Sequence, residues 1–129
     1  MPDDLELAPG DALPLAQRLI DEGRPFHAHE VLEAEWKSAD PDQRALWKGL
    51  AQVAVGLTHA RRGNAKGAVA LLRRGATAVA GYSGVPVADL DPVSVAKSAQ
   101  ALAGRIDGAG LTDVTEDELQ LRIRMPHLS

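Results

Sequence analysis

His29, Glu30 and Glu33 lie within about one helical turn of one another in the stretch Phe26-His27-Ala28-His29-Glu30-Val31-Leu32-Glu33-Ala34-Glu35-Trp36, where the chain concentrates its chemistry. On a helix advancing about 100° per residue, His29, Glu33 and Trp36 share an arc of roughly 60°. Leu32 and Ala28 flank that arc on one side and Phe26 on the other, so the polar pair is expected inside an apolar face. A carboxylate placed there must be hydrogen-bonded, ion-paired, metal-bound or protonated. The simplest answer is a buried polar network between helices, in which His29, Glu33, Gln52, His59 and the indole N–H of Trp36 satisfy one another. A second answer is a divalent metal: His29 and Glu33 at i and i+4 offer two ligands, His59 a third, and Glu30 a fourth ligand or a general base, with Gln52 orienting a bound water or substrate. The pattern HExxE lacks the second histidine of the zinc-protease HExxH. A metal-free acid–base pair is the third reading.

Composition narrows the choice. Cysteine is absent, which excludes disulfides, thiolate metal sites and cysteine nucleophiles. A net charge of −4 has the wrong sign for a general nucleic-acid binder. No apolar run reaches the roughly 20 residues of a membrane span, and the acidic N-terminal stretch does not resemble a signal peptide, so a soluble cytoplasmic protein is expected. At 129 residues the chain is expected to form one domain, and with aromatics at 3% its core should rest on small aliphatic contacts anchored by Trp36 and Trp47.

The elements that must position these residues read as helices throughout. Residues 1–10 look like a flexible arm, residues 11–110 like a bundle of about five helices, and residues 111–129 like an extended tail. Asp11 is expected to cap a first helix to Glu22, with Pro14 in its first turn and Gly23 ending it. Pro25 opens a second helix to about Ser38, and a nearly all-apolar third helix spans about Asp42 to Arg62. Leu46, Leu50, Val53 and Leu57 form its main stripe, while Gly49, Gln52, Gly56 and His59 form a second seam where a neighbouring backbone can approach closely. Gly63 and Asn64 turn the chain into a fourth helix to about Ala80. Asp91-Pro92 restarts it as a fifth helix to about Ile106. Thr115 and Glu118 resemble a capping box, and the alternating pattern beyond it predicts an extended segment that lies on the bundle or pairs with a second molecule.

His29-Glu30-Val31-Leu32-Glu33 followed by Trp36, then an apolar helix with Gln52 and His59, then Arg62-Gly63-Asn64 and Gly67-Ala68, resembles the small bacterial and archaeal proteins of domain-of-unknown-function family 309 over roughly residues 15–82. The resemblance implies an all-α bundle and no established activity. It marks His29, Glu30, Glu33, Trp36, Gln52, His59 and Asn64 as site candidates without assigned roles.

Two functions follow as expectations. One is a non-enzymatic binding or scaffold module for a protein partner, with no nucleic acid or membrane and with surfaces that permit a homo-oligomer. The other is a divalent-metal-binding protein or metal-dependent hydrolase using His29, Glu33 and His59, with Glu30 as the candidate catalytic group. His27 is expected at the surface or facing a partner rather than as a ligand, and His127 in the tail carries no signal.

Overall fold

The computed structural model describes residues 11–87 and 89–125; the expected N-terminal arm and His127 lie outside them. Six helices follow one another: α1 (Ala12–Asp21), α2 (Pro25–Ser38), α3 (Arg44–Arg61), α4 (Ala65–Ala80), α5 (Pro92–Ala109) and the single turn α6 (Glu116–Leu119). The architecture is all-α. Left-handed glycines stop three helices, Gly23 at φ 77°, Gly63 at 80° and Gly110 at 75°, where a side chain would strain the backbone. Asn64 caps α4 by accepting from Gly67 N, and Asp91 caps α5 by accepting from Val93 N and Ser94 N. Asp11 does not cap α1 as expected. Its backbone is already helical, at φ −84° and ψ −22°, and the side chain makes no capping bond.

Each of the first four helices packs on its successor, and α3, which also meets α6, occupies the centre. Leu46, Leu50, Val53, Ala54 and Leu57 of α3 are fully buried, and Trp47 is only 2% exposed. The second seam of α3 meets α4, where the two backbones nearly touch. A Cβ on Gly75 would stand 2.6 Å from Gly49 O and 2.9 Å from Val53 N, and one on Gly56 would stand 3.0 Å from Leu72 N. Gly75 completes this approach from the α4 side, a role its sequence context does not announce.

The segment after α6 lies along the bundle. Leu121 and Ile123 enter the core, and the buried Gln17 of α1 grips the backbone between them. Its Nε2 donates to Leu121 O (3.1 Å) and Asp21 Oδ1 (3.0 Å), and its Oε1 accepts from Ile123 N (2.7 Å) and Arg124 N (3.0 Å). All four hydrogen-bonding positions of the amide are thus used. Arg122 pairs with Asp21, and Arg124 with Asp89 in the α4–α5 connection, which fastens the segment at both edges.

Two substitution sets check this packing by chemical denaturation. Gly75→Ala should cost about 1–3 kcal/mol because its methyl meets backbone, whereas Gly104→Ala, mid-helix and facing open space, should stabilise by about 0.5–1 kcal/mol. Gln17→Ala strips partners from three buried or half-buried backbone groups and should cost at least about 2 kcal/mol.

Candidate functional site

Pro25 starts α2 with φ already helical, and the register that follows buries Ala28, Val31 and Leu32. His29, Glu33 and Trp36 are therefore carried to one side of the helix, half-buried, and Phe26 stays 44% exposed. Across from them, α3 presents Lys48, Gln52, Val55, His59 and Arg62, a stripe with alternating spacings of four and three residues. Two contacts pin the stripes together in antiparallel sense: Lys48 Nζ lies 5.5 Å from the Trp36 ring centroid, and the Arg62 guanidinium lies 5.7 Å from that of Phe26. The Phe26 ring is in turn 5.8 Å from the His29 imidazole.

Glu33 is the hub of a ladder along α2. Its Oε2 lies 2.8 Å from His29 Nε2, and its Oε1 lies 3.1 Å from Lys37 Nζ. Side-chain exposures of 23% for His29 and 34% for Glu33 show that the pair is lodged at the edge of the core and open to water. His29 Nδ1 is buried and has no partner among the described residues. In the Nε2–H tautomer the ring serves Glu33 and leaves Nδ1 as a lone acceptor, with no N–H stranded.

His59 turns the other way. Its Nδ1 is 3.2 Å from Asn64 Nδ2, and its ring packs beside Gly67 at the start of α4. The seam read from the sequence divides here: Gly49 and Gly56 face α4 squarely, while Gln52 and His59 lie half-buried at the outer rim. Helix geometry explains the division, since each polar residue lies three positions beyond a glycine and so about 60° further round the helix. Glu30 is exposed and makes no contact with the pair. Trp36 meets Lys48 through its ring face. His29, Glu33 and His59 do not form a ligand set: among the described residues, no three His, Asp or Glu side chains gather so as to hold a metal ion. Phe26, Lys48 and Arg62 were not among the candidates read from the sequence. The spacing that places Lys48 and Arg62 on the stripe of Gln52 and His59 was the available signal.

Comparison with known proteins places the candidates in context. A family model described as a domain of unknown function, DUF309, matches residues 13–71. Over that segment, a little under half of its length, the chain is similar to this family. Every site candidate lies within the DUF309 segment, which covers α1, α2, α3 and the first half of α4. The chain is also 46% identical over 48 residues to the uncharacterized protein YpuF of Bacillus subtilis (strain 168), a match covering 36% of this chain and 28% of the relative. The chain thus aligns with under a third of that relative's length. No solved structure matches it significantly. Among the described residues, no helix is long and apolar enough to cross a membrane.

Two neighbouring carboxylates in the DUF309 segment respond to pH in opposite senses. The hydrogen bond from Lys37, reinforced by His29, holds the Glu33 carboxyl below its ordinary range, while burial raises that of Glu35. The stabilisation from Glu33 is complete above the ordinary carboxylate range and is lost as pH falls through its lowered value. Glu35 favours its protonated form on folding, so its ionisation is a cost at neutral pH that disappears on acidification. At pH 7, Glu33→Gln should therefore lose about 0.3–0.5 kcal/mol for each i,i+4 pair, and Glu35→Gln should be neutral or stabilising. Unfolding curves at pH 7 and pH 3 check both, and the two differences from wild type should shrink at the lower pH.

Proposed function

We propose that this protein is a non-enzymatic binding module that presents the face formed by α2, α3 and the near edge of α4 to a protein partner. The observation that carries the reading is the placement of His29, Glu33, Trp36, Gln52 and His59 along α2 and α3, each half-buried and none enclosed in the core. Residues that served only the core would sit beneath the helices, as Leu32 and Leu50 do. The side chains here are held in place by local pairs: Glu33 by His29 and Lys37, His59 by Asn64, and Trp36 by Lys48. Such fixing lowers the entropy lost when a partner docks. The metal or hydrolase alternative draws on two paired groups, His29 and Glu33, and lacks a third ligand among the described residues.

Thermal unfolding of chelator-stripped protein with a panel of divalent ions tests the reading, on wild type and Glu33→Gln together. A binding module of this kind should show no ion-specific shift in either. A site-bound ion at about 100 times its dissociation constant would add about 2.7 kcal/mol, or several degrees in midpoint. Such a shift in wild type, abolished by Glu33→Gln, would overturn the reading in favour of a metal site.

A further inference from the structure

Charge is unevenly distributed along the chain. Residues 43–88, which contain α3 and α4, hold seven of the 14 Lys and Arg and none of the 18 Asp and Glu. Within an acidic protein they form a basic block. Two of these cations are neutralised by neighbouring helices, Arg61 by Glu116 of α6 and Arg73 by Asp107 of α5. The other five make no ion pair among the described residues: Lys66 in the first turn of α4, and the four arranged together, Arg44, Lys48, Arg62 and Arg74.

These four share the binding face. Arg44, Lys48 and Arg62 lie on the outer stripe of α3, spaced by one turn and then four. Arg74 lies on the α4 stripe that runs from Gly67 to Ala78, and both of those residues abut α3, at His59 and Gly49. Lys48 and Arg62 rest on the Trp36 and Phe26 rings, which keep their charges extended along the face. On the α2 side, Glu33 is already engaged by His29 and Lys37.

We propose that this face docks an acidic, amphipathic peptide segment of a partner protein. The inference rests on the binding-module reading and adds the chemistry of the partner. The row from Arg44 to Arg62 is about 27 Å long at 1.5 Å per residue and only one helix wide. Beside it runs an apolar strip of Val55, Leu71 and the edge of Trp36, all half-buried. A peptide carrying carboxylates on one side and aliphatic groups on the other satisfies both strips. A nucleic acid fits less well: the two rings it would stack on already carry cations, and the acidic remainder of the molecule repels a long polyanion. Two-fold pairing of the face with a second copy would oppose like charges.

Anisotropy of a fluorescent peptide tests the proposal. The probe is a helical peptide of Glu, Ala and Leu about 18 residues long, matched to the row; an oligouridylate of similar span is the comparison. The peptide should bind, weaken as salt rises, and lose about tenfold or more in affinity in the Lys48→Glu/Arg62→Glu variant. Lys97→Glu, an exposed change on α5, should leave binding intact, and circular dichroism should show all variants folded. Absence of peptide binding, equal binding by the double variant, or tighter binding of the oligouridylate with the same charge dependence overturns the acidic-peptide proposal. None of these outcomes touches the binding-module reading, which fails separately if a divalent ion stabilises wild type and not Glu33→Gln.

Discussion

The closeness of the α3 and α4 backbones is the constraint from which the rest of the molecule follows. With Gly49, Gly56 and Gly75 at the crossing, no side chains separate the helices there, and Gly49 O comes within 2.6 Å of where a Gly75 Cβ would stand. Two helices so joined behave as one slab: α2 packs on α3, α5 packs on α4, and α1 packs on α2. Leu46, Leu50 and Leu57 fill the covered side. The opposite side keeps Lys48, Gln52 and His59, because burying them would strand polar groups, and Val55 lies among them half-buried. An uncovered, half-apolar face is thus a consequence of how α3 divides its circumference between α4, the core and solvent.

On that face polar groups are managed by local pairing. Glu33 is served within its own helix by residues one turn before and one turn after it, and His59 is served by the cap residue of the next helix. Such pairs need no long-range assembly and survive exposure to water, although each is worth little to stability. Their effect is to fix orientation. Buried polarity is handled differently: Gln17, almost wholly enclosed, has all four of its hydrogen-bonding positions filled.

Helix positions were legible because Pro25, Gly63-Asn64 and Asp91-Pro92 act locally, and α2 and α4 begin and end where those signals put them. The glycine seam of α3 was legible too, although its partner Gly75 was not, since a glycine among alanines in α4 carries no pattern of its own. Asp11 shows the limit of a cap rule: residue type permits a cap, and the backbone decides. For the candidate site, the sequence grouped His29, Glu33 and Trp36 on one side of α2, and the structure has them there. It could not say which neighbour His59 would meet, and the tight α3–α4 turn brings Asn64, five residues on, to its Nδ1. Inward-facing placement of His29 and Glu33 was expected from their apolar neighbours. They lie at the rim because Ala28, Val31 and Leu32 take the inner arc. Gln17 was invisible in advance, its partners being more than a hundred residues away.

That separation gives the Gln17 clasp a place in the order of assembly. The main helix pairings among α1 to α5 join sequence neighbours, so the bundle can form by adding one helix at a time to the last. Bringing residue 17 to residue 121 in a disordered chain would close a loop costing about 4 kcal/mol in entropy, more than a few amide hydrogen bonds return. In the finished bundle α6 already sits against α3, and only a few residues remain to be laid down. The clasp is therefore a latch that closes on a completed structure: the last contact to form, and the one whose opening would leave the five-helix stack standing.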